Sequence, residues 1–131
     1  MIAVDTSVVI RYLVGSPPAQ ARRAQALLDG PDHIGLPVVV LLETGHVLRT
    51  QYGVQRPVVL DTLLELVTRS TIEPLGLSKV AVIEALARAR SLRGAPLADA
   101  LVVAMARDAG AGPMVSFDRG IGRHGITVIE P

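Results

Sequence analysis

The chain has no cysteine and no tryptophan, one phenylalanine, two tyrosines and a single lysine, Lys79. Without cysteine there is neither a disulfide framework nor a thiolate metal site, and the cytosol is the default compartment. An aromatic share of 2% leaves the core to Val, Leu, Ile and Ala. It also leaves few platforms on which nucleic-acid bases could stack, so recognition of a nucleic acid would lean on phosphate and shape. No uncharged apolar run reaches the roughly 18 to 20 residues that span a bilayer. Asp5 and Arg11 break the first apolar segment too early for an N-terminal signal. No Gly-x-x-x-x-Gly-Lys loop is present, which argues against a nucleotide triphosphatase. No Gly-x-Ser-x-Gly elbow is present, which argues against a serine hydrolase.

What the chain does have is apolar material and arginine. Half of its 131 residues are hydrophobic, ample for one core of ordinary size, so a single domain over residues 1–131 is expected. Net charge is +1, but every base other than Lys79 is arginine, whose planar fork suits phosphate.

Four acids interrupt or end apolar runs. Asp5 follows Met1-Ile2-Ala3-Val4, and Glu43 follows Val38-Val39-Val40-Leu41-Leu42. Asp99 sits in Pro96-Leu97-Ala98-Asp99-Ala100-Leu101-Val102-Val103, and Asp118 follows Met114-Val115-Ser116-Phe117. Acids in such surroundings are normally paired or hold a cation. With these four set aside the remaining bases clearly outnumber the remaining acids, so no matching bases are tied to them. Taken singly, each acid has a plainer explanation. Asp5 and Asp99 could cap helices, Glu43 could face solvent, and Asp118 with Gly120 could form a turn.

Punctuation and periodicity predict alternating strands and helices. A strand over Ile2–Asp5 leads to a helix capped by Thr6 or Ser7 and running to Val14. Pro17 or Pro18 opens a helix to Leu28. A strand over His33–Leu36 precedes a helix from Pro37 through Arg49. Pro57–Arg69 reads as a helix with Leu60, Leu63, Leu64 and Val67 on one face. Thr71–Leu75 is a third strand, Ser78 caps a helix to Arg93, and Leu97–Ala109 is the last helix. Met114–Phe117 and Ile126–Ile129 are the fourth and fifth strands, joined by a flexible loop containing Gly120, Gly122 and Gly125. Short apolar strands alternating with helices argue an α/β fold with a parallel sheet covered on both faces. Ligands of such sheets bind beyond the carboxyl ends of the strands. Asp5 and Asp118 lie there, whereas Glu43 and Asp99 fall inside helices.

In order, Val4-Asp5-Thr6-Ser7, Leu42-Glu43-Thr44, Ala98-Asp99-Ala100-Leu101-Val102-Val103-Ala104 and Ser116-Phe117-Asp118-Arg119 resemble the four acidic motifs of PIN-domain nucleases. Length and N-terminal start are similar to the VapC toxins of toxin–antitoxin pairs, and the resemblance covers essentially the whole chain. It implies a three-layer α/β/α fold whose five-stranded parallel sheet has the order 3-2-1-4-5. It implies Asp5, Glu43, Asp99 and Asp118 as an acidic cluster around Mg²⁺ or Mn²⁺, with Ser7 and Ser116 as supporting or phosphate contacts. Many relatives carry an acid where this chain has Pro96, which bears on binding of a second metal.

The chemistry agrees with that resemblance, since hard divalent cations prefer oxygen ligands and every candidate ligand is a carboxylate. Asp5 and Asp99 are assigned direct contacts to the metal, Asp118 a contact either direct or through water, and Glu43 the orienting of the attacking water. Arg119, beside the acidic loop, is a candidate phosphate contact. Clustered carboxylates repel without metal, so Asp5→Asn is expected to leave the apo fold at least as stable. Zinc has no suitable ligand set, because His33, His46 and His124 are scattered; His33 and His124 are expected in surface or loop positions. Glu43 and His46 have the Glu-x-x-His spacing of di-iron bundles, but no second copy exists.

The leading expectation is therefore a Mg²⁺- or Mn²⁺-dependent endoribonuclease, the toxin of a toxin–antitoxin pair. The resemblance implies structured RNA such as tRNA or rRNA as substrate, a VapB-like antitoxin as partner, and a homodimer, with no membrane association. The alternative is a non-catalytic PIN-like binding partner with an idle metal site. A signalling receiver module would need a phosphoacceptor Asp at the end of a central strand and a partnering Lys. No Asp follows Thr71–Leu75, and Lys79 is misplaced for that role. An Asp-x-Asp phosphatase fails because Asp5 is followed by Thr6 and Ser7.

Overall fold

In a computed structural model describing residues 1–131, the polypeptide forms two compact units, Met1–Gly76 and Leu77–Pro131.

The first unit begins with β1 (Ile2–Ala3), α1 (Thr6–Val14) and α2 (Pro18–Leu28). It continues with β2 (Ile34–Pro37), α3 (Val38–Thr50), α4 (Arg56–Val67) and β3 (Ile72–Leu75). The strands pair in parallel in the order β1-β2-β3, with Ile2 opposite Ile34 and Ile34 opposite Ile72. β2 is central and fully buried over Ile34, Gly35 and Leu36. At Gly35 a Cβ would lie 2.9 Å from Leu75 Cδ1 and 3.1 Å from Met1 Sδ, so the ends of both side chains would have to shift to admit one. α3 packs on β2 and on α1, and α4 packs on β3 and on α3. Leu41, Leu60, Leu63, Ile72 and Val67 supply the aliphatic core that the composition required.

A hydrogen-bonded triad locks one side of this unit. The Tyr12 hydroxyl donates to Asp29 Oδ1 at 2.5 Å, and Arg69 donates to Asp29 at 2.9 Å and to the Tyr12 oxygen at 2.6 Å. It ties α1, the end of α2 and the residue pair after α4 into one corner.

The second unit comprises α5 (Lys79–Ser91), α6 (Leu97–Asp108), β4 (Met114–Val115), a 3-10 helix (Arg119–His124) and β5 (Val128–Ile129). Ser78 caps α5, its hydroxyl accepting from the Ala81 amide at 3.2 Å. α5 packs along α6, and both contact the 3-10 helix. β4 and β5 pair in parallel, Met114 opposite Val128.

The α/β class and the parallel pairing agree with expectation; the single five-stranded sheet does not. The strands form a three-stranded and a two-stranded sheet with no ladder joining β1 to β4. The reason is local. Extended backbone in β1 gives way after Val4, where Asp5 caps α1. β4 stops at Val115 because the Asp118 amide turns back to Ser116 Oγ at 2.9 Å. Two-residue strands offer too few ladder bonds to carry a wider sheet. The expected flexible glycine loop is instead the 3-10 helix, begun by Asp118 and closed where the Gly125 amide donates to the Gly122 carbonyl at 3.0 Å. His124, expected in a surface position, is 4% exposed at the end of that helix. No helix is long and apolar enough to cross a membrane.

Candidate functional site

In the first unit, Asp5 follows β1 at the carboxyl end of the sheet. Its extended backbone makes it the N-cap of α1, where Oδ1 accepts from the Ser7 hydroxyl at 2.6 Å and from the Val8 amide at 3.3 Å. Those bonds, the Ser7 hydroxyl first and the Val8 amide second, hold the Asp5 carboxyl below its ordinary range. Asp5 is thus an exposed, firmly ionised carboxylate with one oxygen fixed and Oδ2 free of any recorded hydrogen bond. Ser7 is thereby bonded directly to the candidate acid Asp5.

Glu43 stands exposed on α3, one residue before Thr44, which is completely buried. The Thr44 hydroxyl has no hydrogen-bond partner, and neither does that of Thr6, which follows Asp5. Buried hydroxyls are normally satisfied. Both orphans adjoin a candidate acid. The sequence offers Thr6 only as a helix cap, a place that Asp5 takes instead, and gives Thr44 no role.

In the second unit, Asp99 lies in the first turn of α6 and is half-buried. It does not cap the helix; Pro96 occupies that position. The free amides and positive end of a helix favour a negative charge there. Asp118 caps the 3-10 helix, Oδ1 accepting from the Gly120 amide at 2.8 Å. Ser116 Oγ accepts from the Asp118 amide, so this serine positions the backbone of the acid rather than its carboxylate. Arg119 is engaged elsewhere, 3.3 Å from Glu130 in an exposed ion pair. Pairs of that kind contribute little, about 0 to 1 kcal/mol, so Glu130 is a weak competitor for the guanidinium. Between Ser116 and Asp118 the only phenylalanine, Phe117, is 88% exposed.

The structure does not gather three or more His, Asp or Glu side chains where they could hold a metal ion. The donor chemistry nevertheless fits a hard cation: every candidate is a carboxylate, and Asp5 keeps one oxygen available. Mg²⁺ commonly takes one or two protein carboxylates and completes its shell with water and substrate phosphate.

The family model of the PIN domain matches residues 2–126, a span that contains all four acidic motifs. The chain belongs to the PIN domain family. PIN domains are generally metal-dependent nucleases, typically served by divalent ions. No curated protein matches the chain. Membership reaches across both compact units, so neither unit alone corresponds to a whole PIN domain.

Proposed function

We propose that the chain is a Mg²⁺-dependent endoribonuclease, with Mn²⁺ able to substitute, acting as one domain over residues 1–131. It hydrolyses phosphodiester bonds in structured RNA of the tRNA or rRNA kind. The reading extends to a type II toxin that inhibits translation in the cytosol, pairs with itself as a homodimer, and is held by a VapB-like antitoxin. The observation that carries it is the family match running through all four acidic motifs in order.

In this proposal Asp5, Asp99 and Asp118 are the residues that would hold the ion, and Glu43 orients the attacking water. A bound divalent ion supplies Lewis acidity and an ionised water at neutral pH. Ser7 keeps Asp5 in one rotamer and in its charged form, so no proton has to leave before an ion binds. The Gly120 amide fixes the direction of the Asp118 carboxylate, and Ser116 holds the backbone of that residue. An antitoxin arginine reaching one of these carboxylates would inhibit by occupying the oxygens that the ion needs.

The second reading is a non-catalytic partner with an idle site. End-labelled structured RNA incubated with the purified protein separates the two. Cleavage with Mn²⁺ or Mg²⁺, abolished by EDTA and by Asp99→Ala, is expected. Metal binding without cleavage of tRNA or rRNA would favour the idle site.

A further inference from the structure

A cavity of about 240 Å³ lies within the second unit, among α5, α6 and the 3-10 helix. Its origin is in the sequence. α6 turns Ala100, Val103, Ala104 and Arg107 to one face, the i, i+3, i+4, i+7 spacing of a helix. α5 presents Ala81, Ala85 and Arg88 opposite. Alanines where two helices face each other leave space, and the arginines close its end.

Both guanidiniums converge on Gly125. Its backbone is left-handed, at φ +87°, and it carries no Cβ. A Cβ there would collide with Arg88 Nη1 and lie 3.1 Å from Arg107 Nη1. The two arginines, both exposed, therefore approach the same glycine, and both line the cavity together with the buried ring of His124. Glu84 and Asp108 also line the cavity, yet neither forms an ion pair with Arg88 or Arg107. Two like charges are brought to one glycine, and no ion pair ties up either of them.

We propose that this cavity binds a phosphate group, held between Arg88 and Arg107 with His124 at its wall. Two planar forks suit the several oxygens and double charge of a phosphate better than they suit a carboxylate. The volume admits a phosphate and not a folded nucleic acid. Arg107 lies eight positions after Asp99 on α6, about 12 Å along the axis at 1.5 Å per residue. A phosphate held here is therefore not the one attacked under the nuclease reading, and the site stands without that reading. The phosphate belongs either to a small organic phosphate or to the backbone of an RNA strand.

Calorimetric titration with inorganic phosphate at constant ionic strength tests the site. Saturable binding is expected for the wild type and for Arg22→Gln, a charge control in the other unit. Arg88→Gln and Arg107→Gln are expected to weaken it at least tenfold while circular dichroism stays unchanged. An independent readout on the unaltered protein is the His124 ring, whose NMR signals should move with phosphate while those of the exposed His33 stay. No saturable binding to the wild type, or equal binding by both Gln variants, overturns the proposal. The source is settled with Asp118→Asn protein in EDTA, which leaves RNA uncut. If the two Gln substitutions each flatten the salt dependence of RNA binding by about one unit, the phosphate is that of RNA. If they abolish phosphate binding and leave RNA binding unaltered, it is a free organic phosphate.

Discussion

The Ser7 hydroxyl donates to Asp5 Oδ1 at 2.6 Å, and this bond is the leading cause of the lowered Asp5 pKa. The folded pKa lies below the ordinary 3.8, so the folded state favours the anion. The associated stability is present above that ordinary value and is lost as pH falls through the lower folded value. Ser7→Ala should raise the Asp5 pKa toward 3.8 and narrow that window. Carboxyl ¹³C NMR titration of both proteins checks it; an unmoved Asp5 titration would assign the shift to the Val8 amide alone.

Asp5→Asn and Asp5→Ala should part company. Asparagine caps helices about as well as aspartate, so the first should leave apo stability within about 0.5 kcal/mol. Alanine removes the acceptor for the Val8 amide and should cost about 1 kcal/mol. Urea denaturation at pH 7 without metal measures both, and cleavage should be lost in both.

Arg69 is the hub of the triad with Tyr12 and Asp29. Arg69→Met should destabilise by about 1 to 3 kcal/mol, the range for a hydrogen bond to a charged group. Burial, and then the bond to Asp29, push the Tyr12 pKa up, while the Tyr12 hydroxyl holds the Asp29 pKa down. The Tyr12 contribution is intact below its ordinary value of 10.0 and declines as pH rises toward the higher folded value. The Asp29 contribution declines at the acid end, as pH falls through its lowered folded value. Thermal melts across pH should therefore lose both flanks in Tyr12→Phe.

Thr44 is completely buried with an unpartnered hydroxyl, and valine has nearly its shape. Thr44→Val should stabilise by about 1 kcal/mol, by removing a desolvated polar group that gains nothing in return. Chemical denaturation decides: a loss of stability would mean that the hydroxyl has a partner in solution.

Helices were legible because their ends are written in single residues. Ser78 and Pro18 mark starts by local chemistry alone, and the structure places helix starts at both, whereas the first helix is capped by Asp5 and not by Thr6 or Ser7. Strands were legible in position and not in length. Met114–Phe117 reads as four extended residues, but Ser116 turns the chain by a side-chain bond that no hydropathy pattern contains. Glycines at 120, 122 and 125 suggest looseness, yet caps at both ends wind them into a 3-10 helix. The burial of His124 was illegible for a different reason: it depends on two helices far away in sequence. The acids were visible as interruptions of apolar runs. That Arg119 is already paired with Glu130 was not, because the pairing crosses from the 3-10 helix to the residue after β5.

Parallel pairing sets the order in which the first unit can assemble. Ile2 meets Ile34, and Ile34 meets Ile72, only after an intervening helical crossover each time. No tight hairpin can start this sheet, so β2 stays without partners until distant stretches of chain have come to it. Refolding should accordingly be limited by long-range loop closure rather than by helix formation, with helical signal recovering before the amides of Ile34 and Leu36 become protected from exchange.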